Sequence, residues 1–276
     1  MVQDTVFSGH DAHVLPARFW PAQDETAALL VVHGLGEHSG RYNGMAQALN
    51  EAGISVYAYD QRGHGANAGT RGYARLADLE KDVLAVLRQI QARTAVPVFL
   101  FGHSMGGGIA LYTLLHSRPD VRSAVICSPW LIITRQIPAF AANFLKAHPA
   151  AFGRVCISNG IPATALCHDL DACAAYARDP LTHDRISLAL AGDMLYAADY
   201  SLSHTTRLQV PLLLCHGEAD GICSIEGSRR FAQACPKVQF TSFANAYHEL
   251  HNEPCIRQQH FAGICKFIHE NLHQNV

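Results

Sequence analysis

From residue 28 onward, short and wholly apolar runs alternate with stretches whose apolar residues recur at helical spacing. The runs are Ala28 to Val32 (AALLV), Ile54 to Tyr59 (ISVYAY), Val96 to Phe101 (VPVFLF), Ser123 to Cys127 and Val210 to Cys215. Short continuous runs of this kind predict strands covered on both faces, as in a parallel sheet. Leu76, Leu79, Val83, Val86, Leu87 and Ile90 fall on one face of a single helix. A second helix is predicted from about Met105 to His116, a further strand over Val238 to Phe243, and an opening antiparallel pair within Val6 to Phe19. Strands alternating with helices imply an α/β chain with a mostly parallel central sheet and helices on both faces.

The alternation lapses between about Pro129 and Thr206. That stretch holds Pro138, Pro149, Pro162 and Pro180, and shows helix-like patterns without convincing strands. We read 130–206 as a helical cap inserted over the strand ends, with 1–129 and 207–276 forming the core. The competing reading has these helices simply packing on the sheet.

Composition narrows the partners. A chain of 276 residues with 49% apolar content can bury a sizeable core. Its net charge of −2 and lack of any dense Lys/Arg run exclude the basic footprint of a nucleic-acid binder. Nine scattered cysteines, odd in number and without C-x-x-C spacing, argue against a disulfide framework and for small buried hydrophobes. The start has no signal-peptide pattern, and no apolar run approaches the roughly 18 residues that span a bilayer. The expected compartment is therefore a reducing cytoplasm.

Ligands of such sheets bind at the carboxyl ends of the strands. There Gly102-His103-Ser104-Met105-Gly106 stands between a predicted strand and a predicted helix. The G-x-S-x-G pattern alone is weak, but that setting is what a nucleophile elbow requires. A serine hydroxyl needs a base, and the base needs an orienting acid. Asp220 follows the strand ending at Cys215, and His248 follows the run ending at Phe243, so Ser104, Asp220 and His248 come in the chain order this arrangement uses. Glu218 is a rival acid. His251 and His260 are rival bases, although His251, one helical turn on, fits a local or solvent-facing role. The oxyanion hole would use the backbone N–H of Met105 and of Leu35 within His33-Gly34-Leu35-Gly36. Because the base works when neutral, activity should fall below about pH 6.5. Cys167-His168-Asp169, Cys215-His216 and the His248/His251 pair lack paired zinc spacing, so no metal and no cofactor is expected. Cys223, near the acid, reads as a packed thiol or as a point of sensitivity to thiol reagents.

Three segments then carry a resemblance: His33-Gly34-Leu35-Gly36-Glu37-His38-Ser39-Gly40-Arg41-Tyr42, Asp60-Gln61-Arg62-Gly63-His64-Gly65 and Gly102-His103-Ser104-Met105-Gly106-Gly107. With Asp179-Pro180-Leu181 and Tyr247-His248-Glu249-Leu250-His251-Asn252-Glu253, they closely resemble the monoacylglycerol lipase and lysophospholipase-like family, from about residue 10 to 270. The resemblance implies an α/β-hydrolase fold with an inserted helical cap and hydrolysis of single-chain lipid esters without a cofactor. Ile133, Ile137, Phe140 and Phe144 would line the acyl site or dock the cap transiently on a membrane surface; facing the core is the alternative for them. A peptidase or acyltransferase on the same scaffold, and a non-catalytic ligand-binding relative, stay open as other functions. Oligomeric state is left undetermined.

Overall fold

The computed structural model describes residues 1–273. Strands β1 (Gln3–Ser8) and β2 (Val14–Trp20) pair antiparallel, followed by β3 (Ala27–Val32), β4 (Ile54–Tyr59), β5 (Val98–His103) and β6 (Ala124–Cys127). A separate pair, β7 (Cys156–Ser158) and β8 (Arg185–Ser187), precedes β9 (Leu212–Gly217) and β10 (Val238–Phe243). The main sheet has eight strands in the order β1-β2-β4-β3-β5-β6-β9-β10. From β4 to β10 every neighbouring pair is parallel.

All six residues of β3 are buried, and successive side chains enter two different cores. Ala28, Leu30 and Val32 face one, Ala27, Leu29 and Val31 the other. That two-sided burial explains why the run shows no polar alternation. The first core is closed by α2 (Leu76–Gln91), α3 (Ser104–His116) and α6 (Leu188–Ser203); the second by α1 (Asn43–Asn50) and α8 (Arg257–Glu270). Truncating a side chain such as Leu30 to alanine costs about 2–5 kcal/mol, because neighbours collapse only partly into the void.

The predicted strands over 96–101 and 210–215 begin two residues later than expected, at Val98 and Leu212. Pro97 and Pro211 explain this. Proline has no N–H to give a ladder, so regular pairing starts after it. The carbonyls of both prolines still accept, from Ala28 and Ala124.

The stretch 130–206 contains α4 (Ala139–Ala147), α5 (Leu170–Arg178) and α6, and also the β7–β8 pair, which corrects the expectation of no strands there. Each of those strands is three residues long, too short to show a period in sequence. Leu190, Met194, Ala197 and Ala198 of α6 join the first core. Helix α7 (Ile225–Gln233) adds Phe231 to the same core.

Candidate active site

Strand β5 ends at His103 and α3 begins at Ser104, whose φ of +53° lies in the left-handed region. A non-glycine residue pays roughly 1–2 kcal/mol for that conformation, so the surroundings must hold it. They do so by close approach. A Cβ on Gly106 would sit 2.1 Å from the Val32 carbonyl oxygen, and one on Gly34 would sit 3.1 Å from the Ser104 Cβ. The glycines therefore let β3, the loop after it and the start of α3 meet around the serine.

Asp220 lies in the loop after β9 with its side chain fully buried, and its Oδ2 is 2.7 Å from His248 Nδ1. Oδ1 accepts from the backbone N–H groups of Ile222 (2.8 Å) and Cys223 (3.0 Å). A second imidazole, His216, puts Nε2 3.2 Å from Oδ2 and 3.0 Å from the Cys223 carbonyl. Since that carbonyl can only accept, Nε2 carries the proton and Nδ1 accepts from the Ser228 hydroxyl at 2.7 Å. With His248 Nδ1 committed to Asp220, its Nε2 is left for another partner. Ser104 and His248 line one cavity, and the His103 ring, adjacent to the serine, lies 4.8 Å from the His248 ring. The two share no hydrogen bond among the described residues; such contacts commonly tighten only when substrate arrives.

The rivals lie elsewhere. Glu218 is exposed and accepts from Ser242. His260 is buried in α8 against Cys127. His251 is not solvent-facing: the turn Leu250–Asn252 carries it inward, where it stacks on Tyr42 and meets His103 edge-on.

Three buried imidazoles thus cluster, and their environments separate them. Burial drives His103 down to about 3 and His251 to about 4. Burial also acts to lower His248, but the facing Asp220 carboxylate outweighs it, helped by Glu249 and Glu37, and the net shift is upward from 6.5. Asp220 is itself held well below the usual carboxylate range: burial opposes this, and His248 and His216 overcome it.

A second buried network binds the loop after β3 to the turn carrying His248. Glu37 accepts from the Gly34 N–H, the Tyr42 hydroxyl (2.8 Å) and Arg41 (2.9 Å). Arg41 forks onto Glu249 (2.5 and 2.7 Å) and lies over the Tyr176 ring of α5. Two carboxylates against one guanidinium leave net negative charge near His248. Sequence reasoning gave Glu37, Arg41, Glu249 and His216 no role; the i,i+4 spacing of Glu37 and Arg41 was the available signal.

The cavity holds about 420 Å³ and has a largely apolar wall that includes Ile133, Ile137, Leu145, Leu188 and Leu195. Leu35 also lines it, while Met105 is fully buried at the start of α3. Phe140 and Phe144, expected in the acyl site, do not line it; they stand 79% and 55% exposed on α4, whose residues are nowhere fully buried. Cys223 lines the cavity beside Ser104, and burial raises its thiol well above 9.

Fold and site together define an α/β-hydrolase. Residues 23–255 match the family described as serine aminopeptidase, S33, and the chain belongs to it. The chain is 32% identical to the monoglyceride lipase of Rattus norvegicus, over 88% of this chain and 82% of that one. The crystal structure of the Paleococcus ferrophilus monoacylglycerol lipase superposes with a TM-score of 0.85 at 31% identity, covering 93% of this chain and 99% of the other. An abhydrolase domain-containing protein of Dictyostelium discoideum is 32% identical over 95% of this chain, which spans only 28% of that protein's length. Within its family this chain is a serine esterase of the monoglyceride lipase group.

Proposed function

We propose that this enzyme cleaves the ester of a single-chain lipid, a monoacylglycerol or a lysophospholipid, with Ser104 as nucleophile, His248 as base and Asp220 as orienting acid. The Ser104 hydroxyl attacks the acyl carbon as its proton passes to His248 Nε2. The oxyanion is received by the N–H groups of Leu35 and Met105. Collapse expels the alcohol, which takes the proton from His248, and leaves an acyl-enzyme. Water, deprotonated by the same imidazole, then releases the fatty acid. The observation that carries this reading is the 2.7 Å bond from buried Asp220 to His248, whose ring lines the same cavity as the strained Ser104.

A largely apolar wall suits one acyl chain, with Ile133 and Ile137 against it. We read 130–206 as the lid over this cavity, with α6 the part anchored in the core. Phe140 and Phe144 are then the surface that touches the bilayer, in a cytoplasmic enzyme that visits membranes; no helix among the described residues is long and apolar enough to cross one.

The test is covalent labelling by a fluorophosphonate, lost in Ser104→Ala, followed by rates on monoacylglycerols, lysophospholipids and amino-acid amides. Labelling that persists in Ser104→Ala would end the assignment. The family's aminopeptidase description supports a second reading, and cleavage of the amides but not the acyl esters would establish it instead.

A further inference from the structure

Cys127, Cys215 and His260 meet on the face of the sheet away from α3. Cys127 and Cys215 are register partners on the neighbouring parallel strands β6 and β9, so their side chains leave the sheet on the same side. Both belong to the core under α8, and His260 is the fourth residue of that helix. All three residues are buried, and their sulfur and nitrogen ligand atoms lie within 4.8 Å of one another. Cys127 Sγ is 3.5 Å from His260 Nε2.

We propose that these residues form a binding site for one thiophilic d¹⁰ cation, Zn²⁺ or Cu⁺. The spacing fits such an ion. Zinc bonds of about 2.3 Å to sulfur and 2.05 Å to nitrogen, at the tetrahedral angle, put the two ligand atoms about 3.6 Å apart. The surroundings argue the same way. Phe243 and Phe261 flank the imidazole, whose ring centroid lies 5.6 and 6.1 Å from theirs. Taking an imidazole out of water into such a place costs a few kcal/mol unless its polar atoms are well bonded, and a thiol is a weak partner. One cation satisfies all three groups at once. On binding, each thiol loses its proton to solvent and both sulfurs bond the ion as thiolates, with no change in oxidation state of protein or metal. Soft ligands select Zn²⁺ and Cu⁺ over the hard cations Mg²⁺ and Ca²⁺. None of the three residues lines the Ser104 cavity.

The test uses the untagged, full-length protein made in cells supplemented with zinc or with copper, purified without chelators, and analysed by elemental mass spectrometry. We expect about one equivalent of zinc or copper per chain, falling at least fivefold in Cys127→Ser, Cys215→Ser and His260→Gln and unchanged in Cys167→Ser/Cys173→Ser, since metal release follows loss of a ligand. Wild type that carries neither metal overturns the proposal, as does an equivalent retained in all three single variants. Should those variants fail to fold, X-ray absorption on loaded wild type decides: a shell with two sulfurs at about 2.3 Å supports the site, and a shell of oxygen and nitrogen alone refutes it. Metal content is read without any ester, so its outcome is separate from that of Ser104 labelling.

Discussion

Asp220 has four donors and one task. Two backbone N–H groups and two imidazoles hold the carboxylate, so its direction toward His248 is set before substrate arrives. Asp220→Asn should cut kcat by about 10⁴-fold, because an amide stabilises the wrong histidine tautomer. Glu218→Gln should leave kcat near wild type, and steady-state rates on one short ester compare the two directly. The pH profile follows from the sign of the His248 shift. Its pKa is raised above 6.5, and only the neutral ring accepts a proton, so kcat/KM must fall with a midpoint above 6.5 as pH drops. Glu249→Gln removes one of the negative charges that favour the imidazolium, so this acid limb should move to lower pH. A limb that moves upward in the variant contradicts the electrostatics given above.

Elements position those residues through contacts that sequence patterns do not encode. Helix α3 can start at Ser104 because Gly106 lets the β3 carbonyls come close. Gly106→Ala places a Cβ 2.1 Å from the Val32 oxygen, so the variant should lose its cooperative unfolding transition or fail to accumulate folded, as read by circular dichroism. Arg41 joins the turn after β3 to the His248 turn. Arg41→Ala leaves Glu37 and Glu249 buried with no guanidinium between them, and should destabilise by about 3–5 kcal/mol in urea unfolding. The elements themselves were largely legible: every apolar run named from sequence is a strand, because two-sided burial leaves a continuous apolar signature. The missed pair β7–β8 is too short to leave one.

At the scale of the whole molecule, the catalytic candidates gather at one end of the sheet and the exposed aromatics stand on α4. Docking through α4 predicts that Phe140→Ser/Phe144→Ser loses co-flotation with phospholipid vesicles while hydrolysis of a water-soluble short ester persists. Unchanged flotation would place the membrane contact elsewhere. Both rings are exposed at no cost to the core, which is why the change should spare folding.

The order of strands and helices, the serine at a strand-to-helix turn, and an acid and a histidine each following a later strand were determined by the sequence alone. These are local properties, set by side-chain period and by the glycines a tight turn demands. Tertiary structure decided what depends on distance between remote positions. It set Asp220 against His248 and left Glu218 exposed, turned His251 inward, gave Asp220 a second imidazole, and set Phe140 and Phe144 outside the cavity. It also brought Cys127, Cys215 and His260 together from three separate elements. No spacing along the chain reports such meetings, because they follow from how the sheet twists and which helix covers which face.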